Sequence, residues 1–500
     1  MVDTQPDEAD RLTFGTARAR WVLAATALGS GMAFLDGTVV NVALPAMGED
    51  LDADVAGLQW IINGYMLMLA SLILLSGSLG DRLGRRRLFV VGVVWFALAS
   101  IVCAVAPNLE VMVAGRVLQG IGGALLTPGS LAILQTSFRH ADRAKAVGAW
   151  SGLTSVAAAI GPFVGGGLVD SGSWRLIFLI NVPLAAITVL VALRHVPDTR
   201  DQTATGKLDL AGALLATLGL AGLTYGLISA GERGFGDPMV LTALAVGVVG
   251  LVAFVEVERR SSHPMLPPGI FANLRFTGAN LVTVVVYGAL GTATFLVVVY
   301  LQTVLGYDAL SAGAALLPMT LLMLTLSGYA GSLSSRIGAR VPMTVGPLFM
   351  AAGFLLMLRI EPGAGYFAAV LPSIIVLGIG LVATVAPLTA TVLDSVEDHH
   401  AGVASGVNNA VARSAQLMAV AAIPLAAGIT GDAYRDPVAF EQGFAMALWI
   451  SAALAVAGAV LAWFTLADRK PTTREPAPVT AHRHCALEAP PLSNSPTTSR

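Results

Sequence analysis

Two charged side chains stand inside long apolar runs, and their types could bind and release a proton. Asp36 lies in the run of residues 21–46, and Arg116 lies in the run of residues 109–133. A carboxylate at the centre of a helix that spans a membrane costs about 2.5–3.5 kcal/mol, so it should face a cavity or a partner. At about 1.5 Å per residue, the depths of the two residues differ by about 6 Å, which long side chains can bridge. We therefore predict a proton-coupling pair.

Other polar residues in the apolar runs have more than one interpretation. Asp36 could instead only stabilise its own helix through Thr38 or Asn41. Asn41 is also a candidate for a substrate path, together with Asn409 and Arg413, which are four residues apart and share a helix face. Buried polar groups of this kind line a cavity or pair with a neighbour, so a purely structural polar cluster is the alternative.

A short basic stretch, GSLGDRLGRRR at residues 77–87, separates two apolar runs and is here called the basic hairpin. Its position is typical of a cytoplasmic turn between transmembrane helices. Asp81 could pair across the cytoplasmic face with Arg139 or Arg143, or with the first turn of a helix at residues 402–430. The alternative is a simple topology anchor. The candidate gating residues are Gly77, Asp81, Arg82, Gly84 and Arg85.

The basic hairpin recurs later in the chain. Residues 331–338 (GSLSSRIG) repeat residues 77–84 (GSLGDRLG), with Ser335 at the position of Asp81. Two such hairpins suggest a duplicated bundle of helices, and parallel repeats characterise one large class of secondary transporter.

Glycine and proline cluster in the fifth apolar run, residues 146–168. Proline removes a backbone hydrogen bond and kinks a helix, and glycines four residues apart let two backbones approach closely. A tightly packed hinge is one interpretation, and ordinary helix packing is the other. The candidate hinge residues are Gly161, Pro162, Gly165 and Gly166.

The composition predicts an all-α polytopic membrane protein. Of the 500 residues, 55% are apolar and 12% are charged, against about 25% charged in a soluble domain. Fourteen apolar runs are long enough to cross a bilayer. They are residues 21–46, 57–79, 88–106, 109–133, 146–168, 174–193, 208–230, 238–257, 276–304, 310–333, 341–358, 366–392, 402–430 and 442–466.

The basic residues predict the orientation. With fourteen crossings and both termini cytoplasmic, 23 of the 29 Lys and Arg residues fall on the cytoplasmic side, as the positive-inside rule requires. The 254-residue offset of the repeat leaves room for two extra helices between two bundles of six. The predicted units are a cytoplasmic segment 1–20, a six-helix bundle 21–195, two linker helices 208–258, a six-helix bundle 274–466, and a disordered tail 467–500.

Several other functions find no support in the sequence. There is no Gly-x-x-x-x-Gly-Lys-Ser/Thr phosphate loop, which argues against an ATP-driven pump. A net charge of −2 gives no indication of nucleic-acid binding. We expect no enzyme activity, no cofactor, no metal and no obligate protein partner.

Five ordered motifs resemble the major facilitator superfamily, in its fourteen-helix drug:proton antiporter branch of the EmrB/QacA type. The resemblance covers residues 21–466. It implies a major-facilitator fold of six, two and six helices. One departure is that no second carboxylate lies deep in a run, unlike in some relatives that export dications, which argues against a dicationic substrate. The motifs are the basic hairpin, LDGTVVNVALP (35–45), RVLQGIGGA (116–124), GPFVGG (161–166) and WRLIFLINVP (174–183).

The resemblance implies a proton-coupled antiporter that exports small amphiphilic compounds across the plasma membrane. Its partners would be protons, a small-molecule substrate and the lipid bilayer. Two alternatives remain: a dedicated exporter of an endogenous secondary metabolite or lipid, and a sensor or scaffold that transports nothing.

Overall fold

The computed structural model describes residues 11–200, 208–261, 264–396, 401–433 and 436–466. The first helix begins at Ala17, earlier than predicted, because the Thr16 side chain caps it by accepting a hydrogen bond from the Ala19 backbone N–H. Just before it, Leu12 forms a single parallel bridge with Phe138. The predicted tail, residues 467–500, lies outside the described residues, as does the beginning of the predicted N-terminal segment.

The regular structure of the described residues is helical, apart from that one bridge. The α-helices are α1 Ala17–Asp50, α2 Val55–Leu83, α3 Arg85–Ala104, α4 Leu109–Ser137, α5 His140–Asp170, α6 Leu176–Leu179, α7 Asn181–His195, α8 Leu210–Arg233, α9 Pro238–Arg260, α10 Leu274–Thr303, α11 Ala309–Ala315, α12 Leu317–Ile337, α13 Arg340–Met357, α14 Leu371–Asp394, α15 Ala401–Ala426 and α16 Pro437–Thr465. A 3₁₀ turn, Pro268–Ala272, precedes α10, and a π turn, Tyr366–Val370, precedes α14.

Thirteen helical segments of the described chain have the length and apolar composition of a membrane span. The predicted all-α polytopic class is therefore confirmed. The α15 helix is 26 residues long and is not among the thirteen, so the count of fourteen crossings stays a prediction.

Three of the predicted apolar runs are interrupted, and each interruption comes two or three residues before a proline. Proline has no N–H to donate, and its ring clashes with the carbonyl four residues earlier, so the preceding turn must rearrange. The interruptions are Ile180 before Pro183, Leu316 before Pro318, and the π turn that ends at Val370 before Pro372.

The helices pack in two groups with a pair between them. Helices α1–α7 contact one another and are here called the N-terminal bundle, and α10–α16 form the C-terminal bundle. The α8–α9 pair leans on both bundles, because α8 contacts α2 and α15. Helices α1 and α10 are largely buried along their length and contact each other. These two helices therefore lie at the centre of the molecule, where their side chains can line a cavity.

The two hairpins of the sequence repeat each turn at a glycine with a positive φ. Gly84 ends α2 with φ 106°, and Gly338 ends α12 with φ 86°. Side chains other than glycine rarely adopt such angles, so glycine is required at both turns. Helix α3 begins immediately at Arg85, and most of the predicted basic hairpin is therefore helical rather than a loop.

The two bundles contact each other at the end of the molecule where α1 stops, here called the closed end. There, Gln302 Nε2 donates to the Val42 carbonyl at 2.9 Å, and Gln59 Nε2 donates to the Val420 carbonyl at 2.7 Å. Toward the opposite end, a Cβ added at Gly152 of α5 or Gly328 of α12 would meet no atom within 4 Å. At these two positions, no described part of the chain packs closely against α5 or α12.

Candidate functional site

Asp36 lies in the middle of α1 and is fully buried, with 0% of its side chain exposed. Arg116 of α4 reaches it, and its Nη1 donates to Asp36 Oδ2 at 2.6 Å. The structure thus brings together the two residues that the sequence nominates as a pair. Such a pair needs further hydrogen bonds to offset the loss of hydration of both charges.

Arg116 is held in place by α2 as well as by the carboxylate. Its Nε donates to the Ile61 carbonyl at 2.9 Å, and its guanidinium lies 4.6 Å from the centre of the Tyr65 ring. Glycines make this approach possible, because a Cβ at Gly120 would overlap the Tyr65 carbonyl oxygen. Helix α4 can therefore lie close enough to α2 for the guanidinium to be fixed on two sides.

Gln119 connects the two charges through its amide. Its Oε1 accepts from Arg116 Nη1 at 2.5 Å, and its Nε2 donates to Asp36 Oδ1 at 2.7 Å. Gln119 follows Arg116 by three residues and so lies on the same face of α4. Sequence reasoning missed this role, although the residue is part of the quoted α4 motif.

Two further residues of the N-terminal bundle complete the network. Asn181 Nδ2 lies 3.4 Å from Asp36 Oδ1 and 3.3 Å from Ser100 Oγ, and Gln119 Nε2 donates to the same hydroxyl at 2.9 Å. Asn181 belongs to the motif WRLIFLINVP, from which its type alone does not indicate this contact. Asp36 therefore accepts from three side chains that come from α4 and α7.

A cavity of about 440 Å³ lies between the two bundles, and Arg116 forms part of its wall. This volume is within the range of about 300–1,000 Å³ that is typical of sites for small molecules. The predicted substrate-path residues Asn41, Asn409 and Arg413 all line it. Asn41 and Asn409 each donate to a carbonyl of their own helix, of Gly37 and Ser405 respectively. Most of the remaining wall is apolar.

The basic hairpin contains a local ion pair. Asp81 accepts from Arg85 Nη2 at 2.7 Å, one helical turn away, and pairing across the face with Arg139 or Arg143 stays a prediction. The tight turn at Gly84 brings the start of α3 next to the last turn of α2, which favours this local partner. Arg82 lies in the last turn of α2. A Cβ added at Gly77 would meet no atom within 4 Å.

The hairpin docks on the segment that follows α7. Arg87 Nε lies 3.0 Å from Asp198 Oδ2, and the Arg85 backbone N–H donates to the Thr199 carbonyl at 3.0 Å. A Cβ at Gly84 would lie 2.7 Å from Asp198 Oδ1. This segment leads from the N-terminal bundle toward α8. The hairpin therefore contacts the beginning of the stretch that connects the two bundles.

The candidate hinge in α5 contacts both bundles. A Cβ at Gly161 would overlap Thr38 of α1, and one at Gly165 would lie 2.9 Å from Val39 Cβ. On the other side, a Cβ at Gly166 would overlap the backbone of Leu310 in α11. Pro162, between these contacts, lines the cavity. The glycines thus allow three helices to meet without side chains between their backbones.

Further polar contacts stabilise the closed end just beyond the candidate hinge. Asp170, the last residue of α5, accepts hydrogen bonds from the backbone N–H groups of Ala309 at 3.3 Å and Leu310 at 3.0 Å. On the N-terminal side, Arg175 Nη1 pairs with Asp50 Oδ2 at 2.6 Å. A carboxylate at the start of a helix interacts favourably with its dipole, so Asp170 helps to hold the two bundles together at this end.

The sequence profile of the Major Facilitator Superfamily matches residues 26–420. The chain belongs to this superfamily. It is 34% identical over 454 residues to the methylenomycin A resistance protein of Bacillus subtilis (strain 168), which covers 90% of this chain and 95% of the relative. It is also 34% identical over 389 residues to the multidrug resistance protein Stp of Mycobacterium tuberculosis (strain CDC 1551 / Oshkosh), over 78% of this chain and 72% of the relative.

The fold of the superfamily is also found among solved structures. The crystal structure of a peptide transporter, POT, in complex with sulfate aligns with a TM-score of 0.67 at 14% identity, covering 91% of this chain and 98% of that one. At this identity, only the fold is shared. The chain is thus a polytopic membrane protein of the major facilitator superfamily, and its relatives include drug and antibiotic resistance proteins.

Proposed function

We propose that this chain is a proton-coupled antiporter that exports small amphiphilic compounds across the plasma membrane. Asp36 is the proton carrier, and Arg116 competes with the proton for its carboxylate. The observation that carries this proposal is the buried ion pair at 2.6 Å, whose arginine is also part of the cavity wall. Arg116 therefore takes part both in the proposed proton site and in the wall of the cavity.

The coupling follows from charge balance in a buried site. When Asp36 takes up a proton, its negative charge is lost and the guanidinium of Arg116 is left without its counter-ion. An uncompensated buried charge costs about 3–5 kcal/mol. Either the helices that hold the pair must move, or Asp36 must release the proton. Since only differential stabilisation can shift a conformational equilibrium, this change of protonation favours one access state over the other.

The architecture we propose is that of the fourteen-helix branch, with six, two and six helices and both termini in the cytoplasm. The closed end then faces outward, and the cavity communicates with the cytoplasm. Opening outward requires separation of α5 from α11 at Asp170 and Leu310. The glycine contacts of α5 and the basic hairpin are the proposed hinge and gate of this movement.

A growth assay followed by a transport assay tests the function. A sensitive bacterial host that expresses the chain is screened against a panel of amphiphilic dyes and antibiotics. A protected compound is then measured in proteoliposomes with an imposed pH gradient. Gradient-dependent uptake against a concentration difference supports antiport, and uptake that ignores the gradient contradicts it.

A dedicated exporter of one endogenous product is the second candidate. One of the relatives above is named for resistance to a single antibiotic and the other for multidrug resistance, so both breadths of specificity occur among the chain's relatives. The same screen separates them, because a dedicated exporter would protect against one chemical series only. A sensor or scaffold would protect against none.

A further inference from the structure

The wall of the cavity carries positive charge and no negative charge. Its charged lining residues are Arg116 and Arg413, and none of the lining residues is Asp or Glu. Arg116 is neutralised by Asp36, whose carboxylate lies behind it in the N-terminal bundle. The net charge that faces the cavity is therefore that of Arg413.

Arg413 projects from α15 without an acidic partner. Its Nη1 lies 3.4 Å from Gln416 Oε1 of its own helix, and its guanidinium lies 5.8 Å from the centre of the Phe34 ring. In the part of the chain that the structure describes, no carboxylate forms an ion pair with it. An arginine at membrane depth is costly and is usually kept for a pathway or a ligand.

A second cavity of about 260 Å³ adjoins the first and also has Arg413 in its wall. Phe34, Tyr287 and Asn409 line both cavities, and the second adds the amide of Asn408. This second cavity is also lined by no acidic residue. Arg413 is therefore surrounded by aromatic rings and neutral polar groups, which suit the apolar body and the polar substituents of an amphiphile.

The opposite wall provides an amide that has no partner. Asn63 of α2 is fully buried and lines the cavity, and neither its Nδ2 nor its Oδ1 has a hydrogen-bond partner among the described residues. A buried amide without a partner loses about 1–3 kcal/mol relative to a satisfied one. This gives a second, independent indication that the cavity receives a polar group.

We propose that the cavity selects amphiphilic molecules that carry one anionic group, such as a carboxylate, sulfonate or phenolate, and that Arg413 binds this group. The proposal rests on the function proposed above and adds the charge of the substrate. Guanidinium pairs with carboxylate or sulfonate through two parallel hydrogen bonds, which are stronger than neutral ones. Asn63 binds a second polar group of the same molecule, and a cationic amphiphile is repelled.

Two dyes of similar shape and opposite charge test the proposal. Fluorescein is anionic at neutral pH, and a rhodamine ester with the same three-ring body is cationic. Binding of each to the full-length protein in lipid nanodiscs is measured by fluorescence anisotropy, with empty nanodiscs as the blank. The wild-type protein should bind fluorescein at least about ten-fold more tightly, because hydrogen bonds to charged groups have roughly this effect.

Three variants identify the residue responsible. Arg413→Gln should lose most of the preference for fluorescein, and Arg413→Lys should keep much of it because the charge is retained. Arg340→Gln is the matched control, since Arg340 lies over the Trp463 ring at 3.9 Å and lines neither cavity. It should leave both affinities unchanged.

A wild-type protein without a preference for fluorescein overturns the proposal, and this result does not depend on any variant. Unchanged fluorescein binding in a folded Arg413→Gln protein overturns the role of Arg413. The binding assay uses no proton gradient, so its result does not depend on whether the protein is a proton-coupled antiporter. That proposal is tested by pH-driven movement of fluorescein into proteoliposomes.

Discussion

The Asp36 carboxylate and the Arg116 guanidinium meet at 2.6 Å although the residues are 80 positions apart in the chain. Gln119 contacts both, accepting from Arg116 and donating to Asp36. The three side chains therefore form one unit, in which the amide holds the carboxylate and the guanidinium in register. Loss of the amide should disturb the pair without removing either charge.

Gln119→Leu tests this role. The substitution keeps the volume of the side chain and removes its hydrogen bonds to both charges. We expect proton-driven transport to fall about ten-fold or more, since a hydrogen bond to a charged group contributes about 1.5–3 kcal/mol. The rate of pH-driven uptake into proteoliposomes is the measurement.

Ser130→Ala is the matched control for that experiment. Ser130 is a buried residue of the same helix, and its hydroxyl donates to the Leu126 carbonyl, one turn earlier in α4. Its removal should leave uptake close to that of the wild-type protein. Equal uptake by Gln119→Leu and Ser130→Ala would mean that the amide does not act on the ion pair.

The basic hairpin gives a second prediction. Asp81→Asn removes the ion pair with Arg85, in which the Asp81 side chain is 39% exposed. Exposed pairs of this spacing contribute only about 0.3–0.5 kcal/mol to stability, so expression and thermal stability should hardly change. Transport should nevertheless fall strongly if Asp81 acts in gating.

Glu256→Gln serves as the control for Asp81→Asn, because Glu256 forms a comparable exposed pair with Arg260 one turn away in α9. This variant should transport normally. Near-normal transport by Asp81→Asn as well would reduce the basic hairpin to a topology anchor.

The closed end gives a third prediction. Asp170→Ala removes the hydrogen bonds to the start of α11, and loss of a carboxylate cap costs about 0.5–2 kcal/mol. Separation of α5 from α11 should therefore become about two- to thirty-fold more populated. Distances between spin labels at Ser171→Cys and Ser311→Cys would report this, in a background without Cys103 and Cys485.

Asp237→Ala is the control for the closed end. Asp237 caps α9 by accepting from the N–H groups of Met239 and Val240, within its own helix. It should leave the label distances unchanged. A single short distance in the Asp170→Ala protein would contradict a role for Asp170 in closure.

The orientation gives a fourth prediction. Both termini should be cytoplasmic, because this arrangement places 23 of the 29 basic residues on the cytoplasmic side. Reporter tags at residues 1 and 500 measure the side directly. Tags that report opposite sides would contradict an even number of crossings.

The sequence predicts the helical class and the two charges of the site for one physical reason. A charge is so costly in an apolar run that Asp36 and Arg116 are conspicuous without any knowledge of the fold. Their neighbours Gln119 and Asn181 are not conspicuous, because a neutral amide is cheaper to bury than a charge and can also bond within its own helix. Asn41, for example, donates to Gly37 of its own helix. Only the packing of α4 and α7 on α1 decides which amides reach the carboxylate.

Helix interruptions were predictable only in part. Pro183, Pro318 and Pro372 each follow an interruption, but Pro45 and Pro128 lie within continuous helices. Neighbouring helices and local adjustment can satisfy the backbone groups that a proline frees, so proline alone does not locate a break. The pair of Asp81 with Arg85 likewise depends on local geometry, because the one-residue turn at Gly84 brings Arg85 within reach.

The central claim is that Asp36 carries the coupled proton, and Asp36→Asn tests it most directly. Asparagine keeps the size of the side chain and one acceptor oxygen but cannot take up the proton. The measurement is uptake of a transported compound against its gradient in proteoliposomes with an imposed pH difference. Glu49→Gln, an exposed carboxylate near the end of the same helix, is the control.

We predict that Asp36→Asn abolishes accumulation against the gradient while binding of the compound persists and the amount of inserted protein is unchanged. The Glu49→Gln protein should accumulate the compound as the wild-type protein does. If Asp36→Asn still accumulates the compound to the wild-type level, the proton travels by another route and Asp36 is not its carrier.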